Sequence, residues 1–512
     1  MRRKLLRLVL PIAAISAAVL AIVSTSSDGR DDGHSTRVPR RPNVVLIIMD
    51  EFPGDSLLDR RRRIDAVRYP NLAWLARRAT WFPNAFTRYD STPKAVPLIL
   101  DGKRPHKGQP PDPRGHRRTI FDMLGRRRYA IHDAEEATAV CPRRWCRGAR
   151  NRRPGIKRNL NRGRQERLER FFRSIKPGRR PGFWVKHVLL PHVPYQFLPS
   201  GNRARNGVRD LVPGMNGPKG FHDRFLTRHN HQRYLLQLGF TDHELGKLFR
   251  RLQRLRMFDT TMIVLVADHG YTFEVGIKDR RRVNEHNVDE LGTVPLFIKA
   301  PGQRRGRINR SYVSTLDVTP TIADVLNFRL PYRADGRSAY SRAVRRRRVV
   351  SLPTRDFSRT IRISARAYER RRRAIVRRRL ALFGSGPTGF YTRIGPHREL
   401  IGRAVASLRR TSAGKLRGRL IGTALRSVQR ASGLVPAQIV GSVRGGRRGA
   451  KHDVAVAVNG RIEATGRTWY LRGSRTEHFA MNVPEGSLRD GRNSVEVFEV
   501  RRGGVVKLLA RS

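Results

Sequence analysis

The apolar run Met262-Ile263-Val264-Leu265-Val266 ends abruptly in Ala267-Asp268-His269-Gly270. Aliphatic and β-branched residues closed by Asp-His-Gly read as a buried strand that hands two metal-capable side chains to the carboxyl edge of a sheet. Open α/β sheets keep their chemistry at that edge, so the remaining chain is read for what it brings there. Pro42-Asn43-Val44-Val45-Leu46-Ile47-Ile48-Met49 is a second such run and delivers Asp50-Glu51-Phe52-Pro53. A lone Asp after a strand is usually a helix cap or turn former, but two of them, each closing a buried strand, are harder to dismiss. Phe183-Trp184-Val185-Lys186-His187-Val188-Leu189-Leu190 reads as a third strand, and the prolines of Pro191-His192-Val193-Pro194-Tyr195 hold the histidine that follows it. Asp90-Ser91-Thr92-Pro93-Lys94-Ala95 leads through an apolar segment to Asp101-Gly102, a loop entering a helix whose free N–H groups favour an oxyanion. Ser-Thr-Pro is equally an ordinary helix start. From His231 to Met257, Tyr234, Leu238, Leu245, Leu248 and Leu252 line one face of a long amphipathic helix that leads into the Asp268 strand.

The chain has 512 residues, room for more than one domain, and 38% hydrophobic residues, enough for a sizeable core. Lys+Arg number 107 against 41 Asp+Glu, a formal charge of +66 that favours an anionic neighbour. The arginines are spread along the chain (Arg60 to Arg63, Arg126 to Arg128, Arg345 to Arg348, Arg370 to Arg373) without aromatic interleaving or a nucleic-acid motif. They are either solvated faces and loops or a real affinity for an anionic surface, and nucleic acid is disfavoured as a partner. Met1-Arg2-Arg3-Lys4 and Arg7 precede an apolar stretch from Leu8 to Val23. That is an export signal, cleaved or kept as an anchor; the lack of a small-x-small site at its end favours the anchor. Cys141 and Cys146 have no companion Cys or His at zinc spacing, so a small disulfide loop is expected, with reduced thiols as the alternative.

Residues 1–23 are thus expected to be signal or anchor, 24–40 a polar tether, 41–345 a catalytic domain and 346–433 an Arg-rich helical linker. From Val435 the pattern alternates through Ile439–Val443, Asp453–Val458 with Asn459-Gly460, Phe479–Val483 and Asn493–Val500, which predicts a small β-sandwich over 434–512. It serves either to hold a polymer or to cap the enzyme.

Six stretches stand in the order that sulfatases carry them: the 42–50 run, Thr92 ten residues ahead of Gly102, Pro-His-Val-Pro at 191–194, Ala-Asp-His-Gly at 267–270, Val-Pro-Leu-Phe-Ile-Lys-Ala-Pro-Gly at 294–302 and Asp-Val-Thr-Pro-Thr-Ile-Ala-Asp-Val-Leu at 317–326. The chain therefore resembles the alkaline phosphatase and sulfatase superfamily over roughly 41–345, and more narrowly bacterial envelope proteins described as sulfatase-like hydrolases or transferases. The resemblance implies an α/β fold, a mostly parallel α/β/α sandwich with its metal site at the strand ends. It implies that Asp50, Asp268 and His269 ligate metal, that Thr92 is the nucleophile and that His192 contacts the ester oxygen or leaving group. Glu51 stands at the second acidic position and either binds metal or caps the following turn. Sulfatases convert a Cys or Ser to formylglycine within Cys/Ser-x-Pro-x-Arg. Here the proline puts Ser91 in that register, but the arginine is Ala95 and the spacing to Gly102 is one residue too long. That departure favours phosphoester over sulfate chemistry.

A threonine hydroxyl is a weak nucleophile until its pKa is lowered by a cation. Two carboxylates and an imidazole suit a divalent ion, Zn²⁺, Mn²⁺, Mg²⁺ or Ca²⁺, without choosing among them. His192, with Lys186 or His187 beside it, can steady developing charge or protonate the leaving oxygen. His286 reads as a loop histidine. The expectation is an exported, membrane-anchored, metal-dependent hydrolase or transferase of phospho- or sulfo-esters on an anionic envelope polymer or lipid head group. The competing expectation is a non-catalytic basic envelope-binding protein on the same fold.

Overall fold

The computed structural model describes residues 38–146, 156–204, 221–277, 279–411, 414–422, 424–471 and 473–508. Seven strands form the main sheet: β1 (Val44–Asp50), β2 (Thr80–Trp81), β3 (Ala130–Ala134), β4 (Gly182–Pro191), β5 (Met262–Ala267), β6 (Leu296–Lys299) and β7 (Arg307–Ile308). Their order is β3-β4-β1-β5-β6-β2-β7. β3, β4, β1 and β5 run parallel, and β6 alone runs against its neighbours. Every residue of β1, β4 and β5 is buried. Strands without polar alternation need both faces covered, and helices cover this sheet in an α/β/α sandwich. The neighbours β4, β1 and β5 bring three distant stretches to one edge: Asp50 pairs with Pro191, and the Asp268 N–H donates to the Met49 carbonyl at 2.9 Å.

The long helix before β5 starts upstream of the expected His231. It spans Arg224–Arg254, because the Asp223 carboxylate caps it by accepting the Leu226 N–H at 2.8 Å. Its middle buttresses the loop after β4. The Gln237 amide donates to the carbonyls of Pro191 (2.9 Å) and His192 (2.8 Å), and Arg233 donates to that of Tyr195 (2.7 Å).

Residues 346–433 behave differently from a linker. A hairpin of β8 (Val349–Pro353) and β9 (Thr360–Ser364) leads into the helix Ala365–Phe383, which is pinned against the segment that follows β1. Arg372, 1% exposed, forks onto Asp55 (2.7 Å) and also donates to Asn84 Oδ1 and the Pro83 carbonyl, both at 2.7 Å. Arg379 donates to the carbonyls of Ser56 and Leu58. Composition hid this role, because these two arginines look like the solvated ones on the same helix.

The C-terminal strands are β10 (Arg417–Leu420), β11 (Gln438–Arg444), β12 (Asp453–Val458), β13 (Arg461–Arg467), β14 (Trp469–Tyr470), β15 (Glu477–Asn482), β16 (Val495–Arg501) and β17 (Gly504–Lys507). They form two four-stranded antiparallel sheets, β10-β11-β15-β14 and β13-β12-β16-β17, a small sandwich. Asn459 and Gly460, at φ 49° and 83°, make the tight turn between β12 and β13. Cys141 and Cys146 form a disulfide. The segment 1–23 and most of the tether lie outside the described residues, among which no helix is long and apolar enough to cross a membrane.

Candidate active site

Thr92 opens the helix Thr92–Asp101, with Ser91 as the extended N-cap residue and Pro93 behind it. Gly102 ends the helix at φ 68°, and a Cβ there would lie 3.2 Å from Pro320 and Ala334 side-chain atoms. The spacing from Thr92 to Gly102 is therefore one helix bounded by a residue that only glycine fits. The hydroxyl of Thr319, in the Asp-Val-Thr-Pro stretch, donates to the Ile99 carbonyl at 2.7 Å and fixes the helix against the helix Val318–Val325.

This placement sets the Thr92 hydroxyl 3.4 Å from Asp50 Oδ1 and 3.3 Å from His269 Nε2. Ser91 is only half-buried and makes no capping bond with its side chain. His269 Nδ1 lies 2.8 Å from the Gly270 carbonyl, so that nitrogen carries the proton and the Nε2 lone pair faces Thr92. Gly270 itself sits so close to the Glu290 carbonyl that a Cβ would be 2.4 Å from its oxygen, which explains the glycine after Asp-His. His192 uses Nδ1 on the Val193 carbonyl (2.6 Å), which leaves Nε2 3.2 Å from Glu51 Oε1. Arg164, fully buried, donates to the carbonyls of Leu189, His192 and Pro194 and braces the same loop.

Three carboxylates and three imidazoles, all buried, thus meet at the sheet edge. Donor atoms of Asp50, His187 and Asp268 lie within 4.8 Å of one another, as do those of Asp50, Glu51 and His192. Burial, then the neighbouring charges of Asp268 and Glu51, holds the Asp50 carboxyl well above the usual range, and burial pushes Asp268 up to about 7. Burial lowers His187 and His269 to about 3, and burial with Arg280 lowers His192 well below its ordinary value. Asp268 Oδ2, Glu51 Oε2 and both ring nitrogens of His187 are buried without a hydrogen-bond partner. Crowded carboxylates with unsatisfied oxygens beside neutral imidazoles are what a divalent cation would satisfy, and the donor set fits one. Asp50, Asp268, His269 and Glu51 would hold it, with His187 as a further donor. Glu51 is in the left-handed region at φ 58°, an unfavourable backbone for a non-glycine residue that turns its side chain inward.

Lys186 departs from expectation. Adjacent strand residues face opposite sides of the sheet, so it points away from His187, and its ammonium goes to Glu136 and the Ala134 carbonyl. The structure does not bring it to Thr92. His286 is exposed in a loop. Two residues that the sequence did not single out do reach the site. Arg280 donates to Glu51 Oε1 at 2.9 Å and lies 3.5 Å from His192 Nε2, and Arg281 is 3.6 Å from Glu51. Their loop is tied to the Thr92 segment by Asp90, which accepts from the Val283 N–H (2.9 Å) and from Arg355 (3.2 Å), while Arg355 also reaches Asp279 (2.5 Å). Nothing in the sequence separates Arg280 from the other arginine runs. Lys94, in the first turn of the Thr92 helix, is occupied by the carbonyls of His106 (2.8 Å) and Gln109 (2.6 Å).

The sulfatase family model matches residues 42–328, the span that carries all of these elements except Arg355. The chain belongs to the sulfatase family. Among its relatives, this sulfatase-family chain is 26% identical over 159 residues to the ulvan-active sulfatase of Formosa agariphila, a match covering 30% of each chain. It is 34% identical over 105 residues to the choline-sulfatase of Rhizobium meliloti, covering 20% of each. The chain thus spans a third or less of the length of these relatives. Among solved structures, the phosphonate monoester hydrolase of Silicibacter pomeroyi aligns over 61% of this chain and 79% of its own, at 18% identity and a TM-score of 0.43.

Proposed function

We propose that this sulfatase-family protein is a metal-dependent hydrolase of sulfate or phosphate esters that attacks with the Thr92 hydroxyl. The observation that carries the reading is the position of that hydroxyl, between Asp50 Oδ1 and His269 Nε2 while Ser91 stands aside. A bound divalent cation would lower the hydroxyl pKa and neutralise charge on the transferred group. Thr92 Oγ bonds to the phosphorus or sulfur as the bond to the ester oxygen breaks, and the hydroxyl proton passes to that oxygen, relayed by the lone pair of His192 Nε2. Arg280, 3.5 Å from His192 Nε2, adds a fixed positive charge beside it. Water then attacks the Thr92 ester in line and restores the hydroxyl; an acceptor hydroxyl in place of water makes the same residues a transferase.

The export-type segment 1–23, the disulfide and the excess of cations support an extracytoplasmic setting, membrane attachment by that segment and an anionic envelope polymer or lipid head group as substrate.

The test is turnover of matched aryl phosphate monoester, phosphodiester and sulfate substrates with Mn²⁺, Zn²⁺, Mg²⁺, Ca²⁺ or chelator. Thr92→Ala is expected to lower kcat by about 10³-fold or more, as loss of a nucleophile does, while Ser91→Ala leaves it within a few-fold. Activity that survives Thr92→Ala and vanishes in Ser91→Ala would transfer the nucleophile to Ser91. The ester that is cleaved separates phosphate from sulfate chemistry.

A further inference from the structure

A second cationic cavity lies where the start of the long helix meets the C-terminal sandwich. It measures about 460 Å³ and is lined by Arg224, Phe225 and Arg228 of the helix, by Asp223 before it, and by Lys451 and Arg467 of the sandwich. The carboxylates nearby are already engaged. Asp223 caps the helix through one oxygen and pairs with Lys451 (2.6 Å) through the other, and Asp453 pairs with Arg467 (2.6 Å). No carboxylate among the described residues pairs with Arg224 or Arg228. Arg228 is half-buried, and burial, then the charges of Arg224 and Arg398, draws its guanidinium below its ordinary value. Asp223 occupies the helix end through the Leu226 N–H, and Arg224 and Arg228 line the cavity beside it.

Two unpaired guanidinium forks beside a concave wall match the oxygens of a tetrahedral oxyanion. The walls are fixed, since Asn482 of β15 donates to Gln232 on the helix at 2.7 Å and the rings of Phe225 and Trp469 pack at 6.2 Å. The same helix supports the His192 loop through Gln237, nine residues beyond Arg228, or about 14 Å along the axis. We infer that this cavity is a binding site for a sulfate or phosphate group that does not react, carried on the same anionic polymer whose ester reaches Thr92. The C-terminal sandwich thereby helps to select a polyanionic chain over a small ester. The inference rests on the proposed polymer substrate, but the binding step is independent of the Thr92 chemistry.

The two can fail separately. Binding is measured by calorimetry on the full chain carrying Thr92→Ala, in chelator and 150 mM NaCl, with a dextran sulfate oligomer as probe. Arg224→Ser with Arg228→Gln is compared with Arg447→Ser with Arg448→Ser, an exposed pair that removes equal charge elsewhere on the sandwich. The expected result is about 10-fold or greater weakening for the cavity pair, a change under about two-fold for the control pair, and partial loss for Arg228→Lys, which keeps the charge without the fork. With Thr92 intact, the cavity pair should leave kcat on a small aryl ester unchanged and raise KM only for the sulfated oligomer. Equal loss in both pairs, or no loss, overturns the site in favour of diffuse charge. A DNA duplex that binds as tightly and depends equally on the cavity pair overturns the assignment to an envelope polymer. Failure of aryl-ester turnover in the unmodified protein would instead count against the hydrolase reading.

Discussion

Asp242 accepts the backbone N–H groups of Asn71 (3.1 Å) and Leu72 (2.7 Å) and the Asn71 side-chain amide (2.9 Å), so it joins the long helix to the helix Pro70–Ala76. Burial outweighs these donors and pushes the carboxyl up to about 6. The folded chain therefore binds this proton more tightly than the unfolded one. The resulting stabilisation is complete below about pH 4, the unfolded value, and is lost as pH rises through 6. Asp242→Asn should remove a pH-dependent contribution on the order of 3 kcal/mol, so the stability gap between variant and parent narrows from pH 4 to pH 7 in urea melts. Arg372 sits at the other extreme, a buried cation fully matched by Asp55, Asn84 and a carbonyl. Arg372→Met leaves the Asp55 charge buried alone, and a loss of about 3–5 kcal/mol is expected in denaturant unfolding. Arg372→Met with Asp55→Leu should recover part of that loss.

Among the elements, the 141–146 loop is held both by its disulfide and by Glu135, whose carboxylate accepts the Val140 (2.7 Å) and Cys141 (3.2 Å) N–H groups. A cross-link with a sequence separation of five residues closes a short loop, and the chain-entropy relation assigns it about 2 kcal/mol. Reduction with dithiothreitol, or Cys141→Ser with Cys146→Ser, should therefore lower Tm modestly without unfolding the protein. A loss large enough to unfold it would mean that the loop organises the β3 edge of the sheet. The Thr92 helix shows how one element places a hydroxyl at the sheet edge: it starts behind Ser91 with Pro93 in its first turn and ends at Gly102, and the Thr319 contact fixes its axis.

At the scale of the molecule, the formal charge of +66 opposes compactness, because each cation beyond the paired ones adds repulsion that salt screens. Surface ion pairs contribute little, so this repulsion decides the salt response. Raising NaCl from 20 to 500 mM should increase Tm by roughly 5 °C or more; a Tm that is flat or falls would show that ion pairs dominate. The interior arginines do not share in that response. Arg164, Arg372 and Arg379 are each nearly inaccessible and act as hydrogen-bonded braces.

The apolar runs ahead of Asp50, His192 and Asp268 were legible as strands because consecutive apolar residues must be buried, and the polar residues that close them must then lie at the sheet edge. The helix entered at Thr92 was legible from its hydroxyls, proline and apolar segment, and the sandwich from period-two alternation with an Asn-Gly turn. The missed strands β10, β13, β14 and β17 are short or interrupted by charge, so the alternation does not extend through them. The direction of Lys186, the inward turn of Glu51 and the approach of the Thr92 hydroxyl to Asp50 and His269 required the register of neighbouring strands and the axis of a helix. So did the sorting of arginines. Arg280 at the site, Arg372 in the core and Arg447 in solvent are the same residue type in similar basic runs, and only partners distant in the chain determine which guanidinium leaves water. Local pattern by itself determined the sheet and the polar residues at its edge, whereas the fate of each charge was decided by tertiary structure, because a buried ion is tolerated only where remote carboxylates and carbonyls converge on it.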